Sequence, residues 1–212
     1  RTIPPAEAAR WLVHAHAFDT SGIKTGAVGD PRVKGGRGYP IGTGWAGQLG
    51  PVLPEGINLR ETLVLNLVSR DIGSNGRIGG PDDVPPGVRD VDGPAWEDDR
   101  PVRGAIDLYT WQSRRIRLEG DRSGVTGVLL ANGDKLTPQN RHGTEPHTAW
   151  RYSEPQSKKA KQAVYMPRTH SSEWSVWRGL AGLLPSVSSR RGASRSEPQR
   201  FLPPGILQWV AD

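Results

Sequence analysis

Cysteine is absent from the 212 residues, so neither a disulfide nor a thiolate metal site can form, which suits a reducing cytosol. No apolar run approaches the roughly 20 residues a membrane-spanning helix needs, and no signal-peptide pattern is visible. The phosphate-loop pattern GxxxxGK[ST] is missing, because Gly22-Ile23-Lys24-Thr25 lacks the second glycine at the required offset. The GxSxG elbow and the HExxH zinc motif are missing as well, and no internal repeat is found. These absences weigh against the commonest nucleotide-hydrolysing, serine-hydrolase and zinc-protease chemistries.

Glycine and proline are abundant instead. The 27 glycines and 19 prolines, against an apolar fraction of 34%, predict an irregular, loop-rich α+β fold with short helices around a small antiparallel sheet. Eight tryptophans argue for a folded core rather than a disordered chain. A net charge of +6 suits a polyanionic partner, and its distribution is uneven. Residues 71–100 are strongly acidic and residues 151–200 strongly basic, so the cationic surface is regional. Residues 22–50 hold ten glycines, and every charge there except Asp30 is basic. Their centre, Lys34-Gly35-Gly36-Arg37-Gly38-Tyr39, offers bare backbone between cations, a surface able to approach an anionic polymer closely. The competing reading is a plain glycine-rich connector.

Periodicity predicts a helix over 6–18, entered through Pro4 and Pro5, that buries Ala8, Trp11, Leu12, Ala15 and Phe18. Asn58 and Glu61 form a capping box, with Glu61 returning to the Asn58 amide, and the helix that follows to about residue 68 is apolar enough to be largely buried. Residues 70–101 lose periodicity and read as a long mobile acidic loop. A helical turn is expected over 105–111. Strands are expected over 114–119 and 124–131, within an antiparallel sheet around 113–137 in which Asn132-Gly133 is the strongest hairpin-turn signal. Residues 138–162 read as polar loop and 164–166 as a short strand. Ser171 caps a helix carrying Trp174, Trp177, Leu180, Ala181 and Leu184 on one face, and residues 186–200 form a basic Ser/Arg loop. The chain opens on Arg1 rather than Met and stops just after an apolar segment begins, which reads as a piece of a longer protein.

Catalytic candidates are few. The pairs Asp82-Asp83 and Asp98-Asp99 fall in the acidic loop, where a solvated role is expected, because acid–base chemistry needs a rigid support. His142, Glu145 and His147 could supply a His/carboxylate metal site for a hydrolase, though their spacing matches no familiar pattern. The basic residues are better candidates. Lys158, Lys159 and Lys161, and the set Arg190, Arg191, Arg195 and Arg200, are each sufficient for phosphate contact. Tryptophans at helical spacing are expected in the core rather than as base-stacking platforms.

Five blocks in order, PAEAARWLVHAHAFDTSGIKTGAVGDPRVKGGRGYPIGTGWAGQLG, NLRETLVLNLV, LYTWQSRRIRL, GVLLANGDKLTPQNRH and VYMPRTH, resemble the CasA family in its actinobacterial form. CasA is the large subunit of the type I-E CRISPR surveillance complex, Cascade. The resemblance runs from about Pro4 to Leu184. It implies that 1–212 is part of one large N-terminal domain, without the C-terminal helical bundle. It also implies a non-enzymatic, cofactor-free, cytoplasmic protein that reads the protospacer-adjacent motif of invading double-stranded DNA from the minor groove in antiviral defence. The implied partners are target DNA, guide RNA, the other Cascade subunits and a recruited helicase-nuclease. The family's glycine loop falls on Lys34, Gly35, Gly36, Arg37 and Gly38, and its lysine finger on Lys158, Lys159 or Lys161, with the choice open. The family's glutamine wedge lies beyond Asp212. A scaffold role, binding partner subunits or guide RNA without reading DNA, is the main alternative.

Overall fold

The computed structural model describes residues 2–67, 79–88, 93, 100–169 and 200–207. The helix expected after Ser171, most of the acidic loop, and Arg190, Arg191 and Arg195 lie outside them. The chain divides into two compact units, Arg1–Gln48 with Pro81–Thr137 and Leu49–Gly80 with Pro138–Asp212. Short helices and small antiparallel sheets joined by long irregular connections make a mixed, loop-rich α+β fold, as composition predicts. No described helix is long and apolar enough to cross a membrane.

In the first unit, α1 (Pro5–Phe18) starts on the expected prolines. It borders the antiparallel hairpin of β3 (Arg114–Asp121) and β4 (Gly124–Asn132), and the Ser113 hydroxyl donates to the His16 carbonyl at 2.8 Å. Alternation in β3 and β4 sorts the side chains, so Ile116, Leu118, Val128 and Leu130 share the face turned to α1. The burial expected along α1 is only partly realised. Ala8 is buried, but Trp11 is 57% and Phe18 51% exposed, and Trp11 and Leu12 line an open apolar groove of about 360 Å³. Spacing identifies which residues share a face, but how deeply they are buried depends on what lies opposite.

The hairpin turns at Arg122-Ser123, where Asp121 accepts from the Ser123 amide, and not at Asn132-Gly133. A type I′ turn needs positive φ at both central residues, and neither Asn132 nor Gly133 has it. The Asn132 amide instead donates to the Tyr39 carbonyl, and Gly133 passes so close to Gln112 that a Cβ would overlap its carbonyl oxygen. The core of this unit is Trp45, Leu108, Trp111, Ala131 and Leu136, together with a buried ion network. Arg100 makes a two-pronged contact with Asp107 (2.8 Å for each prong), reaches Asp134 at 3.2 Å and lies 3.9 Å over the Trp111 ring, while Arg115 closes on Asp134 at 2.7 Å.

Asp83 departs from the solvated role expected of the acidic loop. It is buried and accepts from the Ile106 and Asp107 amides at 3.2 and 2.7 Å. Those N–H groups open α3 (Ala105–Tyr109), whose own N-cap, Gly104, has no side chain to offer, so a carboxylate from more than twenty residues away caps it.

In the second unit, β5 (Trp150–Tyr152) is the central strand of an antiparallel sheet, between β6 (Tyr165–Pro167) and β7 (Phe201–Leu202). Trp150, Ala149, Val164 and Ile206 are its buried apolar residues. The span 138–162 is therefore not simply polar loop: it holds β5 and α4 (Glu154–Ala160), whose anchor is the buried Ser157. A three-residue strand and a seven-residue polar helix are too short to produce a periodic signal. Helix α2 (Leu59–Leu65) is capped as expected by Asn58, which accepts from the Glu61 amide at 2.9 Å, but the Glu61 carboxylate returns to the Ile57 amide rather than that of Asn58. Contrary to expectation, none of its residues is buried, and Leu59, Leu63 and Val64 are all more than half exposed. An apolar face creates a demand for burial, and the covering surface has to come from elsewhere.

Candidate nucleic-acid interface

The glycine-rich segment folds into a second, smaller hairpin. Strands β1 (Lys24–Thr25) and β2 (Arg37–Gly38) pair antiparallel, and the Gly26 amide donates to the Gly36 carbonyl at 2.9 Å. At the tip, Lys34 and Arg37 exchange backbone hydrogen bonds of 3.1 and 3.2 Å across Gly35 and Gly36. Both glycines have positive φ, +58° and +74°, as a two-residue I′-type turn requires. A Cβ at either would meet nothing within 4 Å, so the tip faces open space. Lys34, Gly35, Gly36 and Arg37 are exposed, and neither cation has an ion pair among the described residues.

The base of this hairpin is braced. Gly38 is buried, and a Cβ there would stand 3.1 Å from the Asn132 amide nitrogen, so its bareness serves docking onto β4 rather than exposure. Asp30 accepts from both the Arg32 amide and guanidinium, and Arg32 continues to the Gly133 carbonyl at 3.0 Å. Sequence reasoning misses Arg32 and Asn132 as bracing residues because their partners, Gly133 and Tyr39, lie about a hundred positions away and leave no local pattern, and Asp30 acts only by fixing Arg32. The result is a projecting turn of bare backbone between two cations on a fixed base.

Lys158, Lys159 and Lys161 belong to the other unit. The Ser157 hydroxyl donates to the Ser153 carbonyl and accepts from the Val164 amide, at 2.8 and 2.9 Å, which turns the lysine side of α4 to solvent. Lys158 pairs with Glu154 at 2.8 Å on the surface, an i,i+4 contact that raises its pKa and lowers that of the carboxylate. Lys159 and Lys161 have no ion pair among the described residues, and Lys161 ends the helix in the left-handed region at φ 55°. The sequence candidates thus fall in both units, Lys34 to Gly38 in the first and the three lysines in the second.

The metal reading does not assemble. Glu145 is buried, and its two carboxylate oxygens accept from the His147 and Thr148 amides at 3.0 and 2.7 Å. His142 packs instead against the Trp150 and Tyr165 rings. Burial lowers the pKa of His142, and that of His147 as well, where Glu145 only partly opposes it. Among the described residues no group of three or more acidic or histidine side chains could hold a metal.

A family model for the CRISPR-associated protein Cse1 matches residues 1–212. The crystal structure of Thermobifida fusca Cse1 is similar over 99% of this chain and 39% of its own, at 53% identity and a TM-score of 0.83. The CRISPR-associated protein CasA/Cse1 of Thermus thermophilus is 31% identical over 145 residues, which are 67% of this chain and 26% of that protein. A chain of a CRISPR RNA-guided surveillance complex has a similar fold, with a TM-score of 0.54 at 18% identity over 97% of this chain and 37% of its own. This chain spans about two fifths, or less, of the length of these relatives.

Proposed function

The chain belongs to the CRISPR-associated Cse1 family, and from that premise we propose that it is the motif-reading part of the large subunit of a type I-E surveillance complex. In this reading it binds invading double-stranded DNA from the minor groove at the protospacer-adjacent motif and supports duplex opening, without catalysing any bond change. Guide RNA, the other subunits of the complex and a recruited helicase-nuclease are its working partners.

The observation that carries the reading is the Lys34–Arg37 tip. Two glycines face open space between two cations that have no ion pair among the described residues. A minor groove presents mainly A N3 and T O2 acceptors plus the G N2 amine, so recognition there is degenerate. Backbone lying against the groove floor would disfavour the protruding G amine. A lysine from α4, whether Lys158, Lys159 or Lys161, donating to the acceptors would favour permissive motifs by about 1–3 kcal/mol each, which leaves fine sequence choice to the guide.

Asparagine tolerates positive φ, so Gly35→Asn and Gly36→Asn keep the turn while adding a side chain to it. In full-length protein assembled with its guide-RNA complex, we expect the double variant to assemble normally and lose at least tenfold in affinity for a motif-bearing duplex. Wild-type affinity would reduce the two glycines to turn formers. Loss of assembly would favour the scaffold reading, to which the uncovered apolar face of α2 lends support.

A further inference from the structure

The β3–β4 hairpin has two chemically different faces. Opposite the apolar face turned to α1, Arg115, Arg117, Leu129 and Ala131 border a second groove of about 320 Å³, with His16 and Ala27 also on its wall. Three arginines reach this groove, and two of them are fully engaged. Arg114 is buried and bonds Asp19 and the carbonyls of Ser113, Thr20 and Gly42. Arg115 bonds Asp134 and the carbonyls of Gln112 and Gly93.

Arg117 differs. It is exposed, stands opposite Leu129 in the strand register, and its side chain has no hydrogen bond or ion pair among the described residues. His16 adds a buried Nδ1 with no hydrogen-bond partner among the described residues. Burial, then the charges of Arg115 and Arg114, hold this imidazole neutral by lowering its pKa to about 4. Among the described residues no carboxylate lines the groove. Ala27 joins it to the glycine hairpin, since the adjacent Gly26 is the residue bonded to Gly36.

We propose that this groove receives a backbone phosphodiester of the bound nucleic acid, with Arg117 as the phosphate contact beside the glycine tip. Arg114 and Arg115 are tied to Asp19 and Asp134 and form a fixed wall, while the Arg117 guanidinium supplies the uncompensated charge and the donors, whose planar fork matches a phosphate. The inference rests on the nucleic-acid reading above and assigns that partner a backbone contact distinct from motif recognition.

The test uses full-length protein and three probes: a motif-bearing duplex, a motif-free duplex and a single-stranded RNA, titrated between about 50 and 200 mM salt. Arg117→Gln should weaken binding severalfold, equally on both duplexes, and reduce the slope of log affinity against log salt by about one, with Arg117→Lys recovering much of both. Arg122→Gln, at the exposed hairpin turn, is the control and should leave the slope near wild type. A deficit confined to RNA would assign the phosphodiester to an RNA strand, and one confined to duplexes would assign it to DNA. An unchanged slope for Arg117→Gln on every probe, or an equal loss for Arg122→Gln, overturns the inference while wild-type motif preference keeps the functional reading. A reduced slope in a protein with no motif preference does the reverse, and wild-type protein that binds none of the probes overturns both.

Discussion

At the scale of single residues, several charged side chains that look solvated in the sequence are structural. Arg100 satisfies two buried carboxylates and covers Trp111. Removing one partner of a buried pair leaves the others uncompensated, so Arg100→Met should cost about 3–5 kcal/mol in urea unfolding. A cost below about 1 kcal/mol would mean that solvent reaches Asp107 and Asp134. His16 sets a pH dependence. The unfolded chain takes up a proton near pH 6.5 that the folded protein refuses until about pH 4. Stability therefore falls as pH drops through that window and levels off below it, with His142 and His147 acting in the same direction. His16→Gln should flatten the fall in unfolding midpoint between about pH 7 and about pH 4.5. A slope identical to wild type would place that imidazole in water.

At the scale of elements, the two hairpins show when a turn signal is used. Gly35-Gly36 and Asn132-Gly133 both suit a two-residue turn, yet only the first adopts positive φ. Gly133 is needed for its missing Cβ instead, because Gln112 and Arg114 backbone atoms occupy that space. Gly133→Ala should destabilise the first unit by at least about 1–3 kcal/mol, read as a shift in melting temperature, whereas a turn role would leave room for alanine. On α4, the Lys158–Glu154 contact is exposed and too weak to hold the lysine from a groove. Among Lys158→Ala, Lys159→Ala and Lys161→Ala, one should erase the preference for motif-bearing duplex and the other two should only lower the salt slope. Equal, motif-independent losses from all three would make them plain phosphate contacts.

At the scale of the whole molecule, the chain divides into two units, and each carries one of the two sets of candidate binding residues. The exposed apolar face of α2 and the open groove beside α1 are surfaces of separate units, in a chain that spans about two fifths of the length of Thermobifida fusca Cse1.

Composition and local pattern were enough to establish the absence of disulfides, the α+β class, α1 with its proline entry, the Asn58 cap and both long strands of the β3–β4 hairpin. These depend on interactions within a few residues, such as cap hydrogen bonds, side-chain alternation and proline's fixed φ. The ordered sequence blocks carried the family as well. Tertiary structure alone decided that Asp83 caps α3, that Arg32 and Asn132 brace the glycine hairpin, and that Arg114 and Arg115 are engaged while Arg117 has no side-chain partner among the described residues. It also left the apolar residues of α2 and much of α1 uncovered. The physical reason is the same in each case: burial and pairing of a polar or apolar group depend on what the rest of the chain brings opposite it, and those partners lie from about twenty to a hundred residues away.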